Sequence, residues 1–317
     1  MHLPVSIPNK KEALVSIVVP IFNTEEFLPY AIRSVLSQSY KNWELLLLND
    51  GSEGNAREVM EHFYDPRIKY FEHSNKGPAA TRNRGMRESL GSYIAFLDSD
   101  DVWNYDKLAK QMALFNKDPR VGVVYSQRET VNRYAEVISG YQPKLYKGMV
   151  LNRLWVDNFV CMSSAIIHRR VVETIGYFDE NLRMSEDFDY WLRVAYKFPF
   201  AYINEPLVKY RKHEGQVSLK TDMRFATCIR IRERFDLQHN DSLSFTARRI
   251  SKANQIAEIA HYNKSKLSTL GALKGHLRAL LWYPFLGLAW NEIAHIFIPR
   301  PLINVLRIFK RCIIRIC

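Results

Sequence analysis

Between Val15 and Ser126, five short apolar runs alternate with four amphipathic segments, and this alternation leaves few architectures open. The runs are Val15–Pro20, Glu44–Asn49, Ile68–Phe71, Tyr93–Leu97 and Val121–Tyr125. Their length and near-continuous apolar character suit strands buried on both faces. The intervening segments, Glu25–Ser39, Glu53–Tyr64, Pro78–Leu90 and Asp106–Lys117, carry apolar residues at helical spacing; Phe27, Ala31, Val35 and Leu36, for instance, share one face. Repeated strand–helix units predict an α/β fold, a mostly parallel central sheet flanked by helices. Such sheets bind ligands beyond the carboxyl ends of their strands, where loops lead into helices. That rule singles out Ile21–Thr24, Asp50–Gly54 and Asp98–Asp101.

Beyond the alternating region the pattern changes. Ser126 to about Asn158 is less regular and reads as an insertion or as a region facing a second substrate. Met162–His168 reads as a strand and Arg169–Ile175 as a helix ended by Gly176. Ser185–Lys197 reads as a helix N-capped by Ser185, with Glu186, Asp187 and Asp189 in its first turns, where carboxylates are favoured. Ala201–Asn204 and Leu207–Arg211 read as a short hairpin, and after Val217 the composition turns helical and basic.

Four loops carry residues suited to chemistry. Phe96-Leu97-Asp98-Ser99-Asp100-Asp101 sets three carboxylates directly after an apolar strand. In an extended chain Asp98 and Asp100 point to one side and repel each other unless a cation lies between them. A hard divalent metal, with water and substrate phosphates as further ligands, fits that position. An N-cap cluster for the helix near Asn104 would need only one or two of these acids. Asp50 ends the second run, where a carboxylate accepts hydrogen bonds from a base or ribose, or simply closes a turn. Phe22, just past the first run, is placed to stack on a nucleobase or to join the core. Asn75–Gly85 opens a helix whose N-terminal amides favour an anion, with Arg82 or Arg84 placed for a diphosphate.

In combination these segments resemble a known family. Val15-Ser16-Ile17-Val18-Val19-Pro20-Ile21-Phe22-Asn23 followed by Ala31-Ile32-Arg33-Ser34-Val35-Leu36-Ser37-Gln38 is similar to the opening of family 2 glycosyltransferases. So are Asn49-Asp50-Gly51-Ser52, Gly77-Pro78-Ala79-Ala80-Thr81-Arg82-Asn83, Asp98-Ser99-Asp100-Asp101, Gly176-Tyr177-Phe178-Asp179-Glu180, Glu186-Asp187-Phe188-Asp189-Tyr190-Trp191-Leu192-Arg193 and Tyr210-Arg211-Lys212-His213. The resemblance implies the GT-A fold over 14–220, with a nucleotide-sugar half (14–126) and an acceptor half (127–220). Residues 1–13 are then an extension and 221–317 a helical, basic C-terminal region. It further implies that Pro20, Phe22 and Asp50 contact the nucleoside, with Arg82 and Asp98 also on the nucleotide-sugar. Asp100, with Asp98 and His213, would hold Mg²⁺ or Mn²⁺ on the diphosphate. Asp187 would be the general base, with Glu186 and Trp191 on the acceptor side. The chain departs from the family's usual pattern at Asn49 and in Ser52-Glu53-Gly54-Asn55. It lacks the Gln-x-x-Arg-Trp of processive synthases, so the resemblance implies addition of one sugar, by inversion, from a UDP-sugar to a glycan or lipid-linked saccharide in surface-polysaccharide (O-antigen) synthesis. A non-catalytic nucleotide-sugar scaffold and a sugar nucleotidyltransferase are the alternatives. The latter would need a Gly-rich, Arg-containing loop where Pro20–Asn23 stands.

Charge and cysteine usage add the location. The net charge of +12 is concentrated at the C-terminus, where Asn240–Cys317 holds twelve Lys or Arg against Asp241, Glu258 and Glu292. Such asymmetry points to an anionic partner. Arg307, Arg311 and Arg315 share one helical face of Pro301–Cys317, with Leu302, Ile303, Leu306, Phe309, Ile313 and Ile316 over much of the rest. This is the pattern of a helix lying in an anionic membrane interface. No nucleic-acid recognition module accompanies the charge. Leu277–Pro299 is broken by polar residues and makes a poor membrane span. Cys161, Cys228, Cys312 and Cys317 form neither metal-site spacing nor a disulfide framework, and no secretory signal opens the chain. The expectation is a cytoplasmic protein, peripheral on the inner face of the plasma membrane.

Overall fold

The structure is a computed structural model that describes residues 12–138, 143–214, 221–262, 269–287, 289–290 and 293; Pro301–Cys317 lies outside the described residues. The described residues divide into two compact units. One falls within Met1–Val150 and Phe159–Lys220, the other within Leu151–Asn158 and Thr221–Cys317.

The first unit is built on one sheet. Its strands are β1 (Val15–Ile21), β2 (Trp43–Asn49), β3 (Ile68–Glu72), β4 (Tyr93–Phe96), β5 (Val102–Trp103), β6 (Val123–Val131), β7 (Ile166–His168) and β8 (Phe200–Arg211), in the order β3-β2-β1-β4-β7-β6-β8-β5. β1 pairs in parallel with β2 and β4, β2 with β3, and β6 with β8; β7 is antiparallel to β4 and β6, and β5 to β8. Two antiparallel steps restore direction, so β6 and β8 run the same way as β1–β4. The carboxyl ends of β1, β2, β4 and β8 therefore lie along one end of the sheet, where ligands of α/β sheets bind.

Both faces are covered. Val15, Ile17, Val19 and Ile21 of β1, with Leu45 and Leu47 of β2, share a core with α1 (Leu28–Leu36) and α4 (Lys107–Lys117). On the opposite face α3 (Pro78–Glu88) lies over β1 and β2, close enough that a Cβ on Gly85 would sit 2.4 Å from Val18 Cγ1 and 3.1 Å from Leu48 Cδ1. The remaining helices of this unit are α2 (Ala56–Glu61), α6 (Arg169–Ile175) and α7 (Glu186–Lys197).

Three sequence expectations are corrected. Ala201–Asn204 and Leu207–Arg211 form no hairpin: Phe200–Arg211 is one strand, parallel to β6, and its register shifts around Gln127 where Pro206 supplies no donor. The region from Ser126 is not irregular at its start, because β6 runs on to Val131 along this long partner. Met162–Ser164 is a 3-10 turn and only Ile166–His168 is strand, since Ser164 turns back to bond the Cys161 carbonyl through both its amide (3.0 Å) and its hydroxyl (2.7 Å).

The second unit is helical, with α5 (Leu151–Val156), α8 (Thr221–Gln238), α9 (Phe245–Tyr262) and α10 (Thr269–Trp282). α5, placed by sequence in the acceptor half, groups here instead. Its Trp155 lies 6.0 Å from the Phe235 ring, Arg232 Nε donates to the Trp155 carbonyl at 3.2 Å, and the Ser244 amide donates to Asn152 Oδ1 at 2.8 Å. No helix among the described residues is long and apolar enough to cross a membrane.

The contact at Gly85 gives a test of the sheet–helix packing. Gly85→Val should lower the unfolding free energy by roughly 1–3 kcal/mol, the usual cost of overpacking, and adding Val18→Ala should recover part of it. A urea midpoint unchanged by Gly85→Val would show that α3 can move away from β1 freely.

Candidate active site

The loops at the shared sheet end are stitched together by their own polar groups. The Asn23 amide donates to Ser52 Oγ (3.1 Å) and the Glu53 amide to Asn23 Oδ1 (2.9 Å), joining the loop after β1 to the loop after β2. Asn23 takes a left-handed backbone, φ 52°, which Asn tolerates. Phe22 beside it is 46% exposed, its ring open at the sheet end, and Pro20 is half-buried opposite Leu48. Asp50 differs from expectation. It is buried, and its two carboxylate oxygens accept the amides of Lys76 (2.7 Å) and Gly77 (2.9 Å), with His73 Nδ1 3.3 Å away. Its first task is to hold the loop that opens α3.

The three carboxylates after β4 meet three different environments. The chain does not stay extended: the Asp101 amide bonds the Asp98 carbonyl at 3.0 Å, so Asp98–Asp101 is a tight turn. It is braced by the Asp98 amide donating to Ser163 Oγ (3.0 Å) and by Thr24 Oγ1 lying 2.7 Å from Ser99 Oγ. Asp98 Oδ1 accepts Arg82 Nη2 at 2.7 Å. Asp101 is fully buried and accepts the Arg211 amide at 2.9 Å. Burial pushes its pKa well above the ordinary aspartate range, and the neighbouring charges of Asp100 and Asp98 push it further. Asp100 Oδ2 lies 3.0 Å from His213 Nε2, brought there by the end of β8.

Arg82 is the unexpected element. Instead of reaching toward a diphosphate, its buried guanidinium bridges Asp98 and, through Nη1 at 2.6 Å, Glu186 Oε1. Burial opposes its charge, but the two carboxylates outweigh burial and raise its pKa above that of an ordinary arginine. Asn83 adds a second clamp: its side-chain amide donates to the Phe178 carbonyl (2.9 Å) and Glu180 Oε1 (2.8 Å), and its carbonyl accepts the Phe178 amide (2.8 Å). The start of α7 is thus tied to α3 and to the aspartate turn.

On α7, Ser185 precedes the first residue but caps nothing with its side chain; it sits in the left-handed region, φ 58°. Asp187 is half-buried, one residue beyond the Glu186 anchor. Trp191, expected on the acceptor side, is 0% exposed and packs against Tyr190 and Phe200, so it belongs to the core. Asp189 is also buried and pairs with Arg193 at 2.8 Å.

Among the described residues, no group of three or more His, Cys, Asp or Glu side chains stands ready to hold a metal. Asp98 is committed through Oδ1 to Arg82, while Asp100 and His213 fit a two-ligand site. Asp100 Oδ2 and His213 Nε2 are hydrogen-bonded to each other at 3.0 Å, and both atoms are of types that can bind a divalent ion. Sequence reasoning missed Arg211, whose Nε donates to the Asp100 carbonyl (2.9 Å) and whose Nη1 donates to the Arg133 carbonyl (2.8 Å), and it missed Ser163. Arg211 stood inside a quoted motif, Tyr210-Arg211-Lys212-His213, but its partners are over 70 residues away.

The Arg82 bridge should be costly to break. Arg82→Ala should destabilise the protein by about 3–5 kcal/mol, the range for removing one partner of a buried ion pair. Arg82→Lys, which keeps the charge without the two-pronged fork, should fall between. In a double-mutant cycle with Glu186→Gln the losses should be clearly less than additive; additivity would mean that the two side chains do not sense each other.

With this geometry in place, comparisons identify the fold and family. The described architecture is the GT-A fold, with S. aureus TarS superposing at a TM-score of 0.62 over 86% of this chain and 50% of that one at 15% identity. Its 1–349 fragment, solved with UDP-GlcNAc, superposes at 0.55 over 86% and 89% of the two chains, also at 15% identity. An uncharacterized glycosyltransferase of Rickettsia conorii is 33% identical over 207 residues, 63% of this chain and 33% of its own. The chain thus spans only about a third of the length of such relatives. The Escherichia coli protein WfgD, UDP-Glc:alpha-D-GlcNAc-diphosphoundecaprenol beta-1,3-glucosyltransferase, is 31% identical over 208 residues, 65% of this chain and 79% of its own. The family model for glycosyl transferase family 2 matches residues 16–176, and the chain belongs to that family.

Proposed function

We propose that this chain is an inverting glycosyltransferase that moves one hexose or N-acetylhexosamine from a UDP-sugar to a hydroxyl of a lipid-linked glycan during synthesis of a surface polysaccharide such as O-antigen. The observation that carries the reading is the Arg82 bridge. It ties Glu186, the neighbour of Asp187, to Asp98 at the ligand end of one sheet, which supports reading these carboxylates as the donor and acceptor sides of one site. Uridine as the nucleoside is supported by the UDP-glucose in the name of WfgD and the UDP and UDP-GlcNAc complexes of TarS. The diphosphoundecaprenol acceptor in the name of WfgD supports a lipid-linked acceptor. The basic segment Pro301–Cys317 would then hold the protein to the inner face of the plasma membrane.

In this mechanism Phe22 stacks on the base, and Pro20 lines the same side. Asp50, by holding Lys76 and Gly77, shapes the loop that closes around the nucleoside. Mg²⁺ or Mn²⁺ held by Asp100 and His213 would neutralise charge on the departing diphosphate as a Lewis acid. Asp187 takes the proton of the acceptor hydroxyl. That oxygen bonds to the anomeric carbon from the face opposite the diphosphate, the carbon–diphosphate bond breaks, UDP departs and the configuration inverts. Asp98, its charge compensated by Arg82, stays a positioned hydrogen-bond acceptor facing the sugar.

Two measurements of UDP release in the presence of acceptor test this. Chelation should abolish transfer, Mg²⁺ or Mn²⁺ should restore it, and Asp100→Ala should remain folded but inactive; full turnover in EDTA would remove the metal from the scheme. Asp187→Asn should leave donor affinity nearly unchanged and lower transfer by about 10²-fold, within the range for a general base. Turnover within a few-fold of the wild type would put the base elsewhere.

A further inference from the structure

Along α10 the second unit is built inside out. The inward positions hold Ala272, His276 and Ala279. Ala279 joins Ala253 and Ala257 of α9, Leu286 and Ala289 in a core made almost wholly of small side chains. The helices approach so closely that a Cβ on Gly275 would lie 2.5 Å from Ala260 Cβ. Leu280, Tyr283 and Leu286 pack inward with these small side chains, but several other large apolar residues point the other way. Leu277, Trp282 and Trp290 are exposed, Leu281 is 77% exposed and Phe285 81%. Helical spacing sets Lys274, Leu277, Arg278, Leu281 and Trp282 on one side, with Phe285 in the turn that follows. Arg249 of α9 extends the strip: it donates to the carbonyls of Trp282 (2.7 Å) and Leu281 (3.1 Å), and its guanidinium lies 5.5 Å from the exposed Phe245 ring.

A soluble surface rarely leaves so many large apolar side chains together in water. The charges in the strip identify what covers it. α10 carries Lys274 and Arg278 and no acid. Residues 294–317 of this chain carry five Lys or Arg and no acid either, so they offer these cations no opposite charge. Interleaved Leu, Phe and Trp with basic side chains is the composition of a face that sinks shallowly into lipid while its cations meet phosphate headgroups.

We propose that the face formed by Phe245, Arg249, Lys274, Leu281, Trp282 and Phe285 docks on an anionic phospholipid surface, independently of Pro301–Cys317. This deepens the proposed function and rests on it, because a lipid-linked acceptor lies in such a surface. The test is co-sedimentation of the full chain with phosphatidylcholine vesicles, with and without phosphatidylglycerol. Leu281→Glu with Phe285→Glu should cut vesicle binding by about tenfold or more, with helical circular dichroism and transfer to a water-soluble acceptor unchanged. Lys274→Glu with Arg278→Glu should abolish the preference for phosphatidylglycerol, and a chain ending at Arg300 should keep a measurable share of the binding. The proposal is overturned if Leu281→Glu with Phe285→Glu binds vesicles like the wild type, or if the chain ending at Arg300 binds none. It is equally overturned if the double variant merely dissociates a dimer while vesicle binding persists, which would make a second copy the occupant. Vesicle binding without transfer by the wild type would sink the proposed function and leave this face standing; transfer without vesicle binding would do the reverse.

Discussion

A single buried guanidinium holds the two halves of the candidate site in register. Arg82 reaches 16 residues forward to Asp98 and 104 residues forward to Glu186. A buried ionic cluster of this kind is weak evidence for stability, since an apolar replacement often serves as well. Its value here is geometric. α7 begins from a left-handed Ser185 whose side chain makes no cap hydrogen bond, so its first turn gains from being positioned by the rest of the fold. The Arg82–Glu186 bond and the adjacent Asn83 clamp on Phe178 and Glu180 do that from α3. Because α3 lies against β1 with no room for a Cβ at Gly85, the anchor is referenced to the sheet itself.

The same interaction changes the meaning of the aspartate turn. Three adjacent carboxylates look equivalent in a sequence and together call for a cation. Folding divides them: Arg82 supplies a cation to Asp98, burial favours the protonated form of Asp101, and Asp100 faces His213. The demand for an external charge falls from three groups to one pair. In the proposed mechanism a pair of this kind would take up Mg²⁺ or Mn²⁺ chiefly together with a diphosphate, whose oxygens complete the ligand set.

What the sequence made legible follows from the range of each signal. Periodicity reports on neighbours within a turn or a strand, and it located β1 to β4 and the helices between them, hence the sheet and its ligand end. It could not report that Arg82 belongs to Asp98 and Glu186, since a bond across 104 residues leaves no repeat. Nor could it separate Trp191 from the site. α7 buries Glu186, Phe188, Asp189, Tyr190, Trp191 and Leu192 in close succession, so no clean polar face marks which side chains meet a ligand. Motif resemblance crosses long distances, but it conveys that residues go together without saying which touches which. Asp50 and Arg211 show this, both of them in quoted motifs and both engaged with backbone.

The correction at β8 shows how one error of direction would have dissolved the site. In a hairpin over Ala201–Arg211 the second arm would return toward its origin and deliver Lys212 and His213 to the end of the sheet away from the aspartate turn. A single strand parallel to β6 carries them the whole way across instead. The cost is an irregular register around Gln127 and Pro206, where the ladder slips before pairing resumes at Arg128 and Val208. Past that slip, the end of β8 is fastened in order: the Arg211 amide to Asp101, Arg211 Nε to the Asp100 carbonyl, and His213 Nε2 beside Asp100 Oδ2. The irregular strand is therefore what makes Asp100 and His213, 113 residues apart, into a hydrogen-bonded pair at 3.0 Å.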